Sequence, residues 1–344
     1  MSEVMPATRS RPTMRDVAER AGVSLKTVSR VINEEPGVAG PTAEKVGAAI
    51  AELGFQRNDL ARSLRQGRSS ATIGLVIEDV GNPFYSAIAQ AVEAAAATRD
   101  CMLITSSCEE DPARERALVQ ALLRRRVDAL LIVPASKDHA YLQREAGDRT
   151  PVVFLDRPPD GMEADTVLLD NYGGARNAIE HLISHGHRRI ACVADPDRLY
   201  TASERYRGYR EAMEDAGIEI DPALSRLDTH DADLAERAVR ELLALPPGRR
   251  PTAIFSGNNR HTVGALRALR GLEREIALVG FDDFELADLL AMPTTVVRHD
   301  SHELGRRAAE LAFMRLDGDG GPPRRVVVPT ELVARGSGEV PVSP

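Results

Sequence analysis

The sequence predicts two parts: an all-α helix-turn-helix headpiece, then an α/β body of two lobes with parallel sheets. Three observations carry this. Two short amphipathic helical patterns separated by a glycine turn open the chain. From residue 72 onward, short apolar runs alternate with helical patterns. The charge is also lopsided. Residues 1–70 hold 11 lysines and arginines against 8 aspartates and glutamates, a net of +3, so the remainder carries −11 and the whole chain −8. A small basic head on a large acidic body fits a chain in which only the head meets phosphate.

The head spans residues 13–56. Thr13, three residues before Asp16, reads as an N-cap with an acidic first turn. Val17 and Ala18 begin an apolar face that stops at Gly22, a residue able to take the left-handed conformation that ends a helix. Ser24 caps a second helix with Val28, Val31 and Ile32 at helical spacing. A third helix starts near Pro41 and turns Val46, Ala49, Ile50 and Leu53 inward. The second helix presents Leu25, Lys26, Ser29 and Arg30 outward, with Thr27 and Asn33 at its edges. Arginine and lysine suit guanine edges, asparagine suits adenine, and leucine can touch a thymine methyl. Ser24, Thr27 and the helix N-terminus suit phosphate, and Thr13 stands with them as a DNA-contact candidate. An ordinary helical hairpin with a solvated polar face is the alternative.

The body follows from residue 71 to about 338. Strands are expected at TIGLVIE, CMLITSS, DALLIVPAS and PVVFLD, with helices around 84–98, 112–126 and 138–146. The series resumes with RRIACVA, TAIFSG and EIALVGF. Strand–helix alternation argues for parallel sheets with right-handed crossovers, and two such series argue for two similar lobes. Ligands of such sheets sit outside the carboxyl ends of the strands, here between facing lobes.

The phrase DVAERAGVSLKTVSRVIN resembles the headpiece of the LacI/GalR family of bacterial transcription repressors, and the resemblance runs from about Thr13 to Arg335. It gives meaning to NDLARSLRQGR, where Leu64 lies among arginines with no apolar stripe to join. Gly54-Phe55, Asn58, Ala61, Arg62 and Leu64 match the family's hinge helix, here residues 57–68. By that resemblance the hinge folds when two subunits sit on an operator, and the leucines wedge into the minor groove. Wedging unstacks a base step and kinks the duplex. Asn58, Arg62, Leu64 and Arg65 are therefore further DNA-contact candidates; a flexible linker whose leucine packs on the body is the alternative.

The resemblance also implies a periplasmic-binding-protein-like body, with the chain crossing between lobes near Leu169–Asp170, Arg298 and Pro322. It implies a homodimer on a pseudo-palindromic operator, controlled by a small molecule, a sugar or sugar derivative, bound between the lobes. The effector candidates are Asn82, Phe84 and Tyr85 from DVGNPFYSAI, Asp156 and Arg157 from FLDR, Arg205, Asn258, Asn259, Asp282 and His299. Core aromatics and structural salt bridges are the alternative roles. Asn259 stands where the family usually has Asp, Arg260 and His261 where it is often apolar, and His299 where Gln is common. A cleft richer in arginine and histidine raises an acidic or phosphorylated ligand as a second possibility.

Other classes find less support. The N-terminus has no signal-peptide core, and no apolar run could span a bilayer, so a cytoplasmic protein is expected. This and the basic head weigh against a solute-binding protein that feeds a transporter. Three cysteines form no CxxC pair. His181 and His185 have the i, i+4 spacing of a helical zinc site but lack the glutamate of HExxH, and no metal is expected. No phosphate loop, nucleotide fingerprint or nucleophile elbow is present, so neither a cofactor nor an enzyme activity is expected. The end ELVARGSGEVPVSP lacks heptads, favouring a dimer over a tetramer.

Overall fold

The computed structural model describes residues 12–33, 35–55, 70–271 and 275–342. It divides into two compact units at residue 70. In the first, α1 (Met14–Ala21) begins with a reciprocal cap. Thr13 Oγ1 accepts from the Asp16 amide and the Thr13 amide donates to Asp16 Oδ2. Gly22 at φ +66° ends the helix. Ser24 then caps α2 (Leu25–Ile32) by accepting from the Thr27 amide at 3.1 Å. α3 (Gly40–Leu53) follows, with Pro41 in its first turn. Val17, Ala18, Val28, Val46 and Ala49 form the buried core among these helices, so one apolar face per helix suffices to hold the unit together.

The second unit begins with β1 (Thr72–Ile77), α4 (Pro83–Ala97), β2 (Met102–Ser107), α5 (Pro112–Arg124), β3 (Ala129–Ile132), α6 (Tyr141–Glu145), β4 (Val152–Leu155) and β5 (Asp165–Leu169). It continues with α7 (Asn171–Ser184), β6 (Ile190–Val193), α8 (Tyr200–Asp215), β7 (Ser225–Arg226), α9 (Ala232–Leu243), β8 (Ala253–Ser256), α10 (Asn259–Ala268), β9 (Ala277–Phe281) and β10 (Thr295–His299). The final elements are α11 (Ser301–Leu316), β11 (Arg325–Val328) and β12 (Thr330–Val333).

Two six-stranded sheets result, in the orders β11-β5-β4-β3-β1-β2 and β12-β10-β9-β8-β6-β7. The orders correspond position by position. All pairings are parallel except β10 with β12. The central strands β1, β3, β8 and β9 are buried along their length, as expected where helices cover both faces. Helices meet at very short range in both lobes. A Cβ on Gly305 of α11 would lie 2.5 Å from the Ile88 carbonyl of α4, and one on Gly208 of α8 would lie 2.5 Å from the Tyr172 carbonyl of α7. Neither position has room for a larger residue.

The strands and helices expected of the head's first three helices and of the body are present, the expected hinge helix at 57–68 lies outside the described residues, and β5, β7 and β10–β12 go beyond the sequence expectation. β7, β11 and β12 are sheet-edge strands, and β5 and β10 are internal strands next to the edge. The crossings fall at Asp170, at Asp300 and at Pro329. The third corrects the expectation of Pro322. Arg315 donates to the carbonyls of Asp319, Gly321 and Pro322, which holds that turn on the first lobe, and β11 joins the first sheet before the chain leaves. Among the described residues no helix is long and apolar enough to cross a membrane.

Candidate functional site

In the head, Ser24, Leu25 and Lys26 are exposed at the start of α2. Leu25 is 52% exposed, an apolar side chain that the head core does not use. Thr27 is half-buried and its hydroxyl lies 2.8 Å from Ser24 Oγ, so both belong to the cap as well as to the outward face. Ser29, Arg30 and Asn33 are half-buried further along α2. Asn33 Nδ2 donates to Ser29 Oγ and to Glu35 Oε1, and Arg30 Nε lies 3.9 Å from Glu35 Oε2, so these three are partly occupied locally. Thr13 is engaged in the α1 cap. Asn58, Arg62, Leu64 and Arg65 lie outside the described residues.

The body brings most of the effector candidates to one cleft, at the carboxyl ends of the strands of both sheets. Asp156 follows β4 and Asp282 follows β9, the corresponding strand of the other lobe. Both take left-handed backbone, at φ +64° and +69°. Aspartate tolerates this conformation better than most side chains, and it turns each carboxyl out of the strand end.

On the first lobe Arg157 is 6% exposed and makes a forked pair with Glu110, Nη1 to Oε2 at 2.9 Å and Nη2 to Oε1 at 2.5 Å. It also donates to the Pro134 carbonyl at 2.9 Å. Asp156 lies beside it, with Oδ2 3.6 Å from Arg157 Nε. Its Oδ1 is buried without a hydrogen-bond partner. Burial raises the Asp156 carboxyl above its ordinary range, against the pull of Arg157 and Arg205. Asn82 caps α4 by accepting from the Phe84 amide at 3.1 Å. Phe84 is half-buried, its ring edge-on to Tyr85 and to His299. Tyr85 differs from the expectation of a ring facing ligand. It is packed in the lobe core, and its hydroxyl donates to Glu78 Oε2 at 3.0 Å.

On the second lobe Arg205 stacks 3.7 Å over the Phe281 ring and donates to Asn171 Oδ1 and the Gly257 carbonyl. Its Nη2 lies 3.6 Å from Asp282 Oδ1, which also meets His299 Nε2 at 2.9 Å. Burial would raise the Asp282 carboxyl, but Arg205 and His299 outweigh it and hold the group below its ordinary range. The Asn259 amide approaches Asp282 Oδ2, and Asn259 Nδ2 donates across the cleft to Asn82 Oδ1 at 2.9 Å. Asn259 Oδ1 is buried without a partner. Asn258 faces elsewhere: it caps α10 through the His261 amide and donates to Asp195. His261 is fully buried, bonded to the Thr229 carbonyl, and burial lowers its basicity, so it adds no charge to the cleft.

Glu78, Asp79, Glu110 and Asn171 complete the site and were not among the sequence candidates. Glu78 follows β1 directly, so a polar residue at a strand's carboxyl end was the available signal. Glu110 sits in the turn after β2 and Asn171 opens α7, and the sequence does not reveal what either side chain meets. Burial and the neighbouring Glu110 raise the Glu78 carboxyl to about 7. Each cleft arginine, including Arg260, and His299 meets a carboxylate. Elsewhere, His181 pairs with Glu339, and among the described residues no cluster of three or more ligating groups could hold a metal.

Comparison with known proteins agrees with this layout. Residues 13–58 match the bacterial regulatory proteins of the lacI family, and residues 179–338 match the periplasmic binding protein-like domain. The ribose operon repressor of Escherichia coli (strain K12) is 35% identical over 332 residues, covering 94% of this chain and 99% of the relative. A solved complex of the transcriptional regulator CelR with cellobiose is 33% identical, covers 95% of this chain and all of that one, and superposes with a TM-score of 0.69. The lac repressor dimer bound to operator and the anti-inducer ONPF is 28% identical over 96% of this chain and 99% of that one, with a TM-score of 0.80. With its helix-turn-helix head and two-lobed body both matched, the chain belongs to the lacI family of bacterial regulatory proteins, sequence-specific DNA-binding regulators of transcription rather than enzymes.

Proposed function

We propose that this regulator is a repressor that binds a pseudo-palindromic operator as a homodimer in the bacterial cytoplasm and is switched by a carbohydrate held between its lobes. The observation that carries the effector reading is the pair of buried, unpartnered acceptors, Asp156 Oδ1 and Asn259 Oδ1, on opposite lobes of one cleft. Buried acceptors without donors are costly, and hydroxyl groups satisfy them. The half-buried Phe84 supplies an apolar face beside them. The arginines raised an anionic ligand as an alternative. Their pairing with Glu110, Asp282, Glu78 and Asp79 favours an uncharged one, because a phosphate would meet carboxylates already in place. Relatives solved with cellobiose, or named for a ribose operon, are in keeping with a neutral sugar.

For the operator, Leu25 and Lys26 are proposed to read base edges, and Ser24 and Thr27 to meet phosphate. On the sequence pattern, Asn58, Arg62, Leu64 and Arg65 are proposed as hinge contacts. Coupling between cleft and operator is reciprocal: a ligand that weakens operator binding binds less well to the DNA complex.

Fluorescence anisotropy on labelled DNA from upstream of its own gene tests this, at fixed salt with excess competitor and a panel of neutral sugars and sugar acids. Competitor-resistant binding altered by a neutral sugar is the expected result. A response to sugar acids alone would sink the neutral-ligand reading. Leu64→Ala is expected to leave sugar binding intact while operator affinity falls; unchanged operator affinity would remove its wedge role.

A further inference from the structure

Three residues that border the cleft also join the lobes directly. Arg260, the second residue of α10, reaches from the second lobe to the loop after β1 on the first. Its Nη1 lies 3.3 Å from Glu78 Oε1, and its Nη2 meets Asp79 Oδ2. One guanidinium thus bridges two carboxylates across the cleft. The neighbouring Asn259–Asn82 hydrogen bond lies alongside.

Both halves of this contact are held stiffly by their own lobes. Asp79 Oδ1 accepts from the Gly81 amide at 2.8 Å, and its carbonyl accepts from the Asn82 amide at 3.1 Å. The Val80 amide donates to Ser107 Oγ, and Ser86 Oγ donates to the Val80 carbonyl. Glu78 is held by the Tyr85 hydroxyl. On the other side Asn258 pins the start of α10 to Asp195. Holding the partners in place beforehand reduces the ordering cost that weakens most exposed ion pairs. The side chains are nevertheless part-exposed, 31% for Arg260 and 38% for Asp79, so water can enter and the contact can open.

We propose that Arg260, Glu78 and Asp79 form an electrostatic clasp that sets how far the lobes are closed before any effector arrives. The clasp rests on the reading that a ligand held between the lobes switches the regulator, and adds that it does so through lobe closure. It gives this chain a closed population in the ligand-free state, and a ligand can shift that population only by its differential affinity for the two arrangements. A weaker clasp raises the open fraction without touching Asp156 or Asn259.

Hydrogen–deuterium exchange on the full-length, ligand-free protein tests the clasp. The readout is the amides of residues 80–82 and the first turn of α10, with β6 as an internal reference. Three variants separate charge from size: Arg260→Lys, Arg260→Ala and Arg260→Glu. A clasp predicts exchange at both segments that stays within about twofold of the parent for lysine, quickens for alanine, and quickens most, by about fivefold, for glutamate. A merely packed side chain predicts a different order, because glutamate fills more of the arginine's space than alanine. Exchange unchanged in all three variants, or ranked by size instead of charge, would overturn the clasp. No ligand enters the measurement, so a body that binds no sugar would still decide it. That failure would instead count against the function proposed above.

Discussion

Asp156 and Asp282 occupy corresponding strand ends of two sheets with the same strand order, and both sit on left-handed backbone. Their carboxyls are nevertheless pushed in opposite directions. Burial raises Asp156, whereas Arg205 and His299 bring Asp282 below its ordinary range. The neighbours explain the difference. On the second lobe His299 bonds the aspartate and the Arg205 guanidinium lies 3.6 Å from it, while Arg205 donates to Asn171 and Gly257. On the first lobe the adjacent Arg157 spends its fork on Glu110 and leaves Asp156 with an open oxygen. The same backbone therefore produces a satisfied carboxylate on one side and an unsatisfied carboxylate oxygen on the other. An asymmetric ligand can be held in one orientation by such a pair.

The largest expected effect that would sharpen this contrast is on folding stability. Arg205→Met strands buried Asp282 and the Gly257 carbonyl, and should cost about 3–5 kcal/mol in urea unfolding. Arg157→Met should cost less, about 1–3 kcal/mol, because Glu110 is 24% exposed and can recover water. Equal losses would break the comparison.

Next in size is a pair of charge-removing substitutions read against pH. Asp282→Asn should lose about 1–3 kcal/mol at pH 7. The sign follows from its lowered pKa: its stabilisation is present above 3.8, the unfolded value, and disappears as pH falls through the lower folded value. Asp156→Asn should do the reverse. The folded state holds the Asp156 proton more tightly than the unfolded chain, so its contribution declines as pH rises from 3.8 to the higher folded value. The asparagine variant should therefore melt above the parent at pH 7, with the gain vanishing below 3.8. Melting curves from pH 3 to 8 check both; parallel profiles would contradict the opposite directions of the two shifts.

The smallest effect concerns two buried tyrosines. Tyr85 donates to Glu78, and Tyr209 donates to the Ile190 carbonyl at 2.9 Å. Each tyrosine-to-phenylalanine change keeps the core ring and should cost about 0.5–1.5 kcal/mol by thermal or chemical unfolding. A loss above about 3 kcal/mol at Tyr85 would mean that its hydroxyl anchors more of the first lobe than Glu78 alone.

The head was readable in detail from residues alone. Caps at Thr13 and Ser24, the stop at Gly22 and the apolar positions of three helices are local features, and local hydrogen bonds and 3.6-residue periodicity express them directly. The alternation of the body was readable for the same reason. Tertiary structure decided everything that depends on pairing at long range. It placed Glu110 on Arg157 rather than leaving the arginine for an anion, and it turned Tyr85 and His261 into the core. It spent Asn258 on a cap while its neighbour Asn259 faced Asn82 across the cleft. It also put β11 at the edge of the first sheet, so that the last crossing falls at Pro329. Residue type sets what a side chain can donate or accept. Which partner it meets is decided by segments tens to hundreds of residues away, brought together only when both sheets close over their cores.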